Sequence, residues 1–286
     1  MPKNIIRQQT AGLSGQSYSR IYRKEKESSY IEEGIIMFMG ILAGAAWGLE
    51  TVILGIALGM PPFCSSEEAA VLAPFVSTFL HDLFSAIFIT VYNGLRGNLP
   101  NVRKAFKTKS GKSAALAAVI GGPIGMTGYV MAIHYMGASV GAIASAVFPA
   151  VGAILAFIFL KEKMKWYQWT FLFLTLLGVY GLSYSPDLSI SNFWLGLAGT
   201  VMCAFGWGIE TVILARCFTD PEIKYEYALQ IRQTTSALIY GAIILPLMKG
   251  WPFTISLFKG TGMLPTIALA ALFATISYLC YYRAIS

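Results

Sequence analysis

The sequence predicts an all-α polytopic membrane protein containing an inverted repeat of five-helix units, and three observations lead there. The chain is 56% hydrophobic and 12% charged, with a mean hydropathy of +0.63, far more apolar than a soluble domain. Its apolar residues gather in eight stretches, at 34–59, 69–95, 114–133, 138–160, 166–184, 193–215, 227–248 and 262–282. At about 1.5 Å per residue, each can cross a hydrocarbon core of about 30 Å as a helix. Finally, WGLETVIL at Trp47–Leu54 returns as WGIETVIL at Trp207–Leu214, an offset of 160.

Residues 1–33 are polar, mixed in charge and lack the apolar core of a cleavable signal peptide, so they read as a flexible cytoplasmic tail. The net charge of +7 is explained by where the cations lie. The tail and the loops after spans two, four and six carry 17 Lys and Arg, whereas the loops on the other side carry only Lys249 and Lys259. By the positive-inside rule the N-terminus is cytoplasmic and the protein resides in the cell (inner) membrane. This distribution makes the lipid bilayer, and not nucleic acid, the partner of the basic residues. Cys64, Cys203, Cys217 and Cys280 have neither CxxC spacing nor a disulfide pattern.

The repeat continues beyond its opening string. Ser85-Ala86 of span two lies over Ser236-Ala237 of span seven at an offset of 151, and Ala132-Ile133 lies over Ala284-Ile285 at 152. Tyr129 thereby falls over Tyr281, and His81-Asp82 over Arg232-Gln233. The smaller later offsets follow if the first inter-helix loop, around PPFCSSEEAA, is the longer one. Five spans are an odd number, so a second unit enters the membrane from the opposite face. The expected organisation is a first five-helix unit at 34–184 and an incomplete second unit at 193–286, truncated after helix eight. In such folds the binding site lies near midplane between the units.

Ionisable residues inside spans cost about 2.5–3.5 kcal/mol each unless paired or wet. Those predicted there are Glu50, His81, Asp82, Glu210 and Arg232. Trp47 and Trp207 lie one turn before Glu50 and Glu210 on the same helix face. A carboxylate beside an indole suits an organic cation, since the ring adds about 0.5–2 kcal/mol of cation-π attraction. Tyr129 and Tyr281 would close an aromatic box. Plainer roles stand beside these: the tryptophans as interface anchors, the acids bonded to a neighbouring helix, the tyrosines as packing, Arg232 in a helix-locking ion pair or snorkelling to the cytoplasmic face. His81 could relay protons, sense pH or donate a hydrogen bond. Span three is interrupted by GGPIGM (Gly121–Met126), which reads as a hinge or a ligand-facing break. Span four is rich in small residues suited to close helix packing. With no nucleophile elbow, phosphate loop or metal-ligand helix, the chain is expected not to be an enzyme and to need no metal or cofactor.

The WGxE repeats, the stretch Gly125–Ser139 with Tyr129 and Ala132, and the LKEKMKWYQW turn before span five resemble the drug/metabolite transporter (DMT) superfamily of ten-helix EamA-type carriers. The likeness covers nearly all of 34–286. His81 stands where family members commonly have an arginine in span two, while Arg232 keeps it in the second unit. The His81-Asp82 pair with GGPIGM looks more like the choline permease branch. Glu50 and Glu210 are not general family features, and spans nine and ten are absent.

The resulting expectation is a secondary transporter that moves a choline-like cation or other amine by alternating access. Its site would be Glu50, Glu210, Asp82, His81, Trp47, Trp207, Tyr129, Tyr281 and Arg232, with a homodimer and proton coupling left open. Two alternatives remain: an exporter of amino acids or related metabolites, in which Arg232 holds a carboxylate, and a non-transporting membrane scaffold.

Overall fold

A computed structural model describes residues 15–161, 164–183, 190–259 and 262–286. Among these residues every regular element is a helix and there is no strand. In chain order the helices are α1 (Gly15–Leu58), α2 (Glu67–Leu95), α3 (Leu99–Lys107), α4 (Lys109–Met136), α5 (Ala138–Phe159), α6 (Trp166–Ser183), α7 (Phe193–Cys217), α8 (Tyr225–Leu247), α9 (Trp251–Leu257) and α10 (Met263–Ile285). Six of them, α1, α2, α4, α5, α7 and α10, are long and apolar enough to cross a membrane. A seventh is obtained if α8 and α9, bent by 118° at their junction, form one span. The sequence suggested eight. The difference lies in α6, which is short and opens on the polar run Trp166-Tyr167-Gln168-Trp169-Thr170.

Local chemistry sets the boundaries. Ser66 caps α2 by accepting from the Ala69 amide at 3.1 Å, with Glu67 and Glu68 in the favourable first turn. Thr108 caps α4 through the Gly111 amide at 2.9 Å, and Asn192 caps α7 through the Leu195 amide at 3.1 Å. The α4–α5 turn passes through Gly137 at φ +89°, a conformation that a side chain would resist. The described part of the polar tail, from Gly15, is helix continuous with the first span.

GGPIGM does not break span three. α4 runs through it as a π turn, Ile120–Met126, in which the missing Pro123 amide fits the looser ladder. α8 carries a second π turn at Tyr240–Ile244, and the Tyr240 hydroxyl donates to the Gly122 carbonyl at 3.2 Å.

The helices pack in a pattern of exchange. α1 lies along α10, α7 lies along α4, and α2 lies against α8. In the sequence register α1 corresponds to α7, α4 to α10 and α2 to α8. A two-fold pseudo-axis through the centre would interchange the first two contacts and map the third onto itself. The α4–α7 contact is very close: a Cβ on Gly199 would fall 2.6 Å from the Gly128 carbonyl oxygen and 2.8 Å from Met131 Cβ. Gly199→Val should therefore destabilise by about 1–3 kcal/mol through overpacking, read as a lowered thermal midpoint in detergent. Gly178, which faces open space, should accept alanine without loss.

Candidate functional site

The core of the bundle holds the charged residues that the sequence placed inside spans. Glu50 of α1, His81 and Asp82 of α2, Glu210 of α7 and Arg232 of α8 are all buried. Arg232 Nε donates to Glu210 Oε1 at 3.0 Å, and Arg232 Nη1 lies 3.9 Å from Asp82 Oδ1. His81 Nδ1 is 3.0 Å from the same Asp82 oxygen, and His81 Nε2 is 3.5 Å from Glu50 Oε1. The result is one chain of alternating charge, Glu50–His81–Asp82–Arg232–Glu210, running through four helices. With its carboxylates ionised, the cluster has an excess of negative charge whether His81 is neutral or protonated.

Its polar contacts repeat in pairs. The 3.5 Å Glu50–His81 contact in the first half matches the Glu210–Arg232 hydrogen bond in the second. His81 bonds its neighbour Asp82 as Arg232 donates to its neighbour Gln233. The crossing bonds are reciprocal: Ser236 donates to Asp82 Oδ2 at 2.5 Å, and Gln233 Nε2 donates to Ser85 Oγ at 2.5 Å. Asp82 and Gln233 are sequence equivalents, as are Ser85 and Ser236. The tyrosines follow the same rule, Tyr129 meeting Thr51 at 2.6 Å and Tyr281 meeting Thr211 at 3.2 Å. Tyr129 also donates to Glu50 Oε2 at 3.0 Å.

Beside this cluster lies an open cavity of about 720 Å³ bounded by α1, α5, α7 and α10. Trp47, Trp207, Tyr278, Tyr281, Phe148 and Glu210 line it. Trp47 and Trp207 meet edge to face with centroids 5.3 Å apart, and Tyr129 packs on both at 5.3 and 5.2 Å. The two tryptophans therefore stand against each other in the interior, away from the anchoring role at a lipid interface. Trp207 Nε1 donates to the Gly121 carbonyl at 3.0 Å, while Trp47 Nε1 and the hydroxyls of Tyr278 and Tyr282, all on cavity-lining residues, have no hydrogen-bond partner among the described residues.

Glu210 borders the cavity directly. Glu50 lies behind Trp47 and Thr51, which do line it, and is fully covered. Tyr281 contacts Phe148 and Tyr282 at the cavity edge, so the box around the tryptophans is closed by Tyr129 and Tyr278. Arg232 has no exposed surface, which replaces the snorkelling alternative with an interior ion pair. The guanidinium also sits 4.6 Å from the Tyr278 ring centroid, and Tyr278 lines the cavity whereas Arg232 does not.

The glycines of the α4 π turn make room for the site. A Cβ on Gly121 would fall 1.9 Å from Glu210 Oε2, one on Gly122 2.0 Å from Ser236 Oγ, and one on Gly125 2.5 Å from Trp207 Cδ1. The string read as a hinge or break is the surface on which Glu210, Ser236 and Trp207 rest. Tyr278 and Phe148 were missed in the sequence. Tyr278 could have been found one turn before Tyr281 on a shared helix face, whereas nothing in the local pattern marks Phe148.

Residues 34–184 match the EamA-like transporter family. The chain belongs to that family. A curated relative, protein LicB of Haemophilus influenzae, is 31% identical over 172 residues, covering 60% of this chain and 57% of the relative. The match thus spans a little over half the length of that relative. Together with the apolar helices, the family describes a multi-pass membrane protein and points to transport rather than to enzymatic catalysis.

Removing one partner of a buried ion pair leaves a charge without compensation and costs about 3–5 kcal/mol. Arg232→Met should lose stability on that scale in detergent unfolding. The double variant Arg232→Met with Glu210→Met should recover most of it, giving a coupling well above the additive limit in a double-mutant cycle.

Proposed function

We propose that this protein is a secondary transporter carrying a small organic cation, choline-like or another amine, across the cytoplasmic membrane by alternating access. The observation that carries the reading is the joining of one cavity to an acidic cluster. Trp47, Trp207, Tyr278 and Tyr281 offer ring faces and edges, and Glu210 brings negative charge to the same wall. An ammonium group with methyl substituents gains from both, the rings through cation-π attraction and the carboxylate through Coulomb attraction strengthened by low dielectric.

The two-fold pattern of hydrogen bonds supports two inverted units, 34–184 and 193–286, with the carried molecule between them. Rocking of one unit on the other would exchange the paired bonds of one half against those of the other. The charge distribution of the loops supports a cytoplasmic N-terminus. Inward movement of one positive charge gains about 2.3 kcal/mol per 100 mV of membrane potential, enough for uniport. Outward movement needs coupling, for which the carboxylates and His81 provide proton-binding groups.

The alternative of amino-acid export requires Arg232 to receive a carboxylate. In this structure Glu210 holds the guanidinium and Arg232 does not line the cavity, which favours the cation. The choice between carrier and scaffold rests on binding. Purified protein should rise in melting temperature with choline or a related quaternary amine, and less or not at all with zwitterionic amino acids. Glu210→Gln should weaken that effect by about tenfold or more, the equivalent of about 1.4 kcal/mol. Stabilisation by amino acids alone would support the exporter, and no response to either class would support the scaffold.

A further inference from the structure

α3 and the helix ends flanking it carry a feature that the central cavity does not use. α3 is two-faced. Val102 and Ala105 are buried against the bundle, while Arg103, Lys104, Phe106 and Lys107 are exposed. Leu99, Pro100, Arg103, Lys104 and Lys107 line a groove along its outer side. None of the three cations takes part in an ion pair described in the structure; all four such pairs lie in the central cluster. Lys109 and Lys112 follow in the first turn of α4, so five cations gather between residues 103 and 112.

Exposed apolar side chains accompany the groove. Leu99, which lines it, is 41% exposed, and Leu95 at the end of α2 and Phe106 of α3 are 86% and 49% exposed. A free anion or an acidic peptide would satisfy the cations and make no use of these side chains. An anionic phospholipid satisfies both sets, its phosphate among the cations and its acyl chains against the leucines and phenylalanine beside the spans. The placement is also consequential for the core. Asn93 of α2 donates to Gln230 of α8 at 2.8 Å, and Tyr227 of α8 donates to Asn98, the residue before α3, at 3.4 Å. A headgroup held on α3 therefore fastens the ends of α2 and α8, the two helices that bring Asp82 and Arg232 together.

We propose that the α3 groove is a binding site for the headgroup of an anionic phospholipid. The test is thermal stability of the detergent-purified chain titrated with short-chain phosphatidylglycerol, short-chain phosphatidylethanolamine or inorganic phosphate. Phosphatidylglycerol should stabilise saturably, and phosphatidylethanolamine or phosphate alone should not. The combined variant Arg103→Gln, Lys104→Gln, Lys107→Gln should raise the phosphatidylglycerol concentration needed by on the order of a hundredfold, the loss expected for three surface cations. The charge-conserving variant Arg103→Lys, Lys104→Arg, Lys107→Arg should keep the effect, as should Lys249→Gln with Lys259→Gln. Equal stabilisation by phosphatidylethanolamine or phosphate, an unchanged response in the glutamine variant, or loss in the charge-conserving variant would overturn the proposal. None of these readouts depends on a carried substrate, so the result stands apart from the reading of the cavity.

Discussion

The structure depends on a line of charge held in a place where charge is expensive. Five ionisable side chains cross the centre of the bundle, and insertion alone would cost about 2.5–3.5 kcal/mol for each if left unpaired. They are tolerated because each meets another: Glu210 and Asp82 flank Arg232, and Asp82 and Glu50 flank His81. Such a chain specifies which helices must adjoin. α1, α2, α7 and α8 cannot slide by a turn without separating a buried ion from its partner, a penalty that apolar packing alone would not impose.

The close approach of the backbones follows from the same need. Glu210 reaches Arg232 only because α7 lies deep against α4, at a point where Gly121 has no side chain to displace the carboxylate. The π turn in α4 and the one in α8 bring Gly122 and Tyr240 together beside it. Thr127 and Tyr240 share a further hydrogen bond across the same contact. Small residues, a proline without an amide and an extra residue per turn are therefore the local features that give the acid its seat.

Much of this was legible in the sequence because duplication writes the same residues twice. WGxETVIL marked Trp47, Glu50, Trp207 and Glu210, and the later offsets aligned His81 with Arg232 and Tyr129 with Tyr281. What the pattern could not give is which copy bonds across to which. Ser236 with Asp82, and Ser85 with Gln233, are contacts between units set by helix packing, not by sequence distance. Tyr278 was hidden for a similar reason: its register partner in the first unit is Met126, so the repeat gave it no emphasis. α6 falls outside the helices long and apolar enough to cross a membrane because it opens on polar residues, and the helix over residues 15–33 carries no apolar run to mark it.

Negative charge next to aromatic faces can act on a guest in two ways, by Coulomb attraction or by shape and apolar contact alone. The reading of this cavity rests on the first. Calorimetric titration of the purified protein with choline and with its neutral isostere, in which a tert-butyl group replaces the trimethylammonium, separates them. The account predicts that the cation binds at least about tenfold more tightly, a difference of about 1.4 kcal/mol or more. Equal affinity for the two, or preference for the neutral compound, would contradict it.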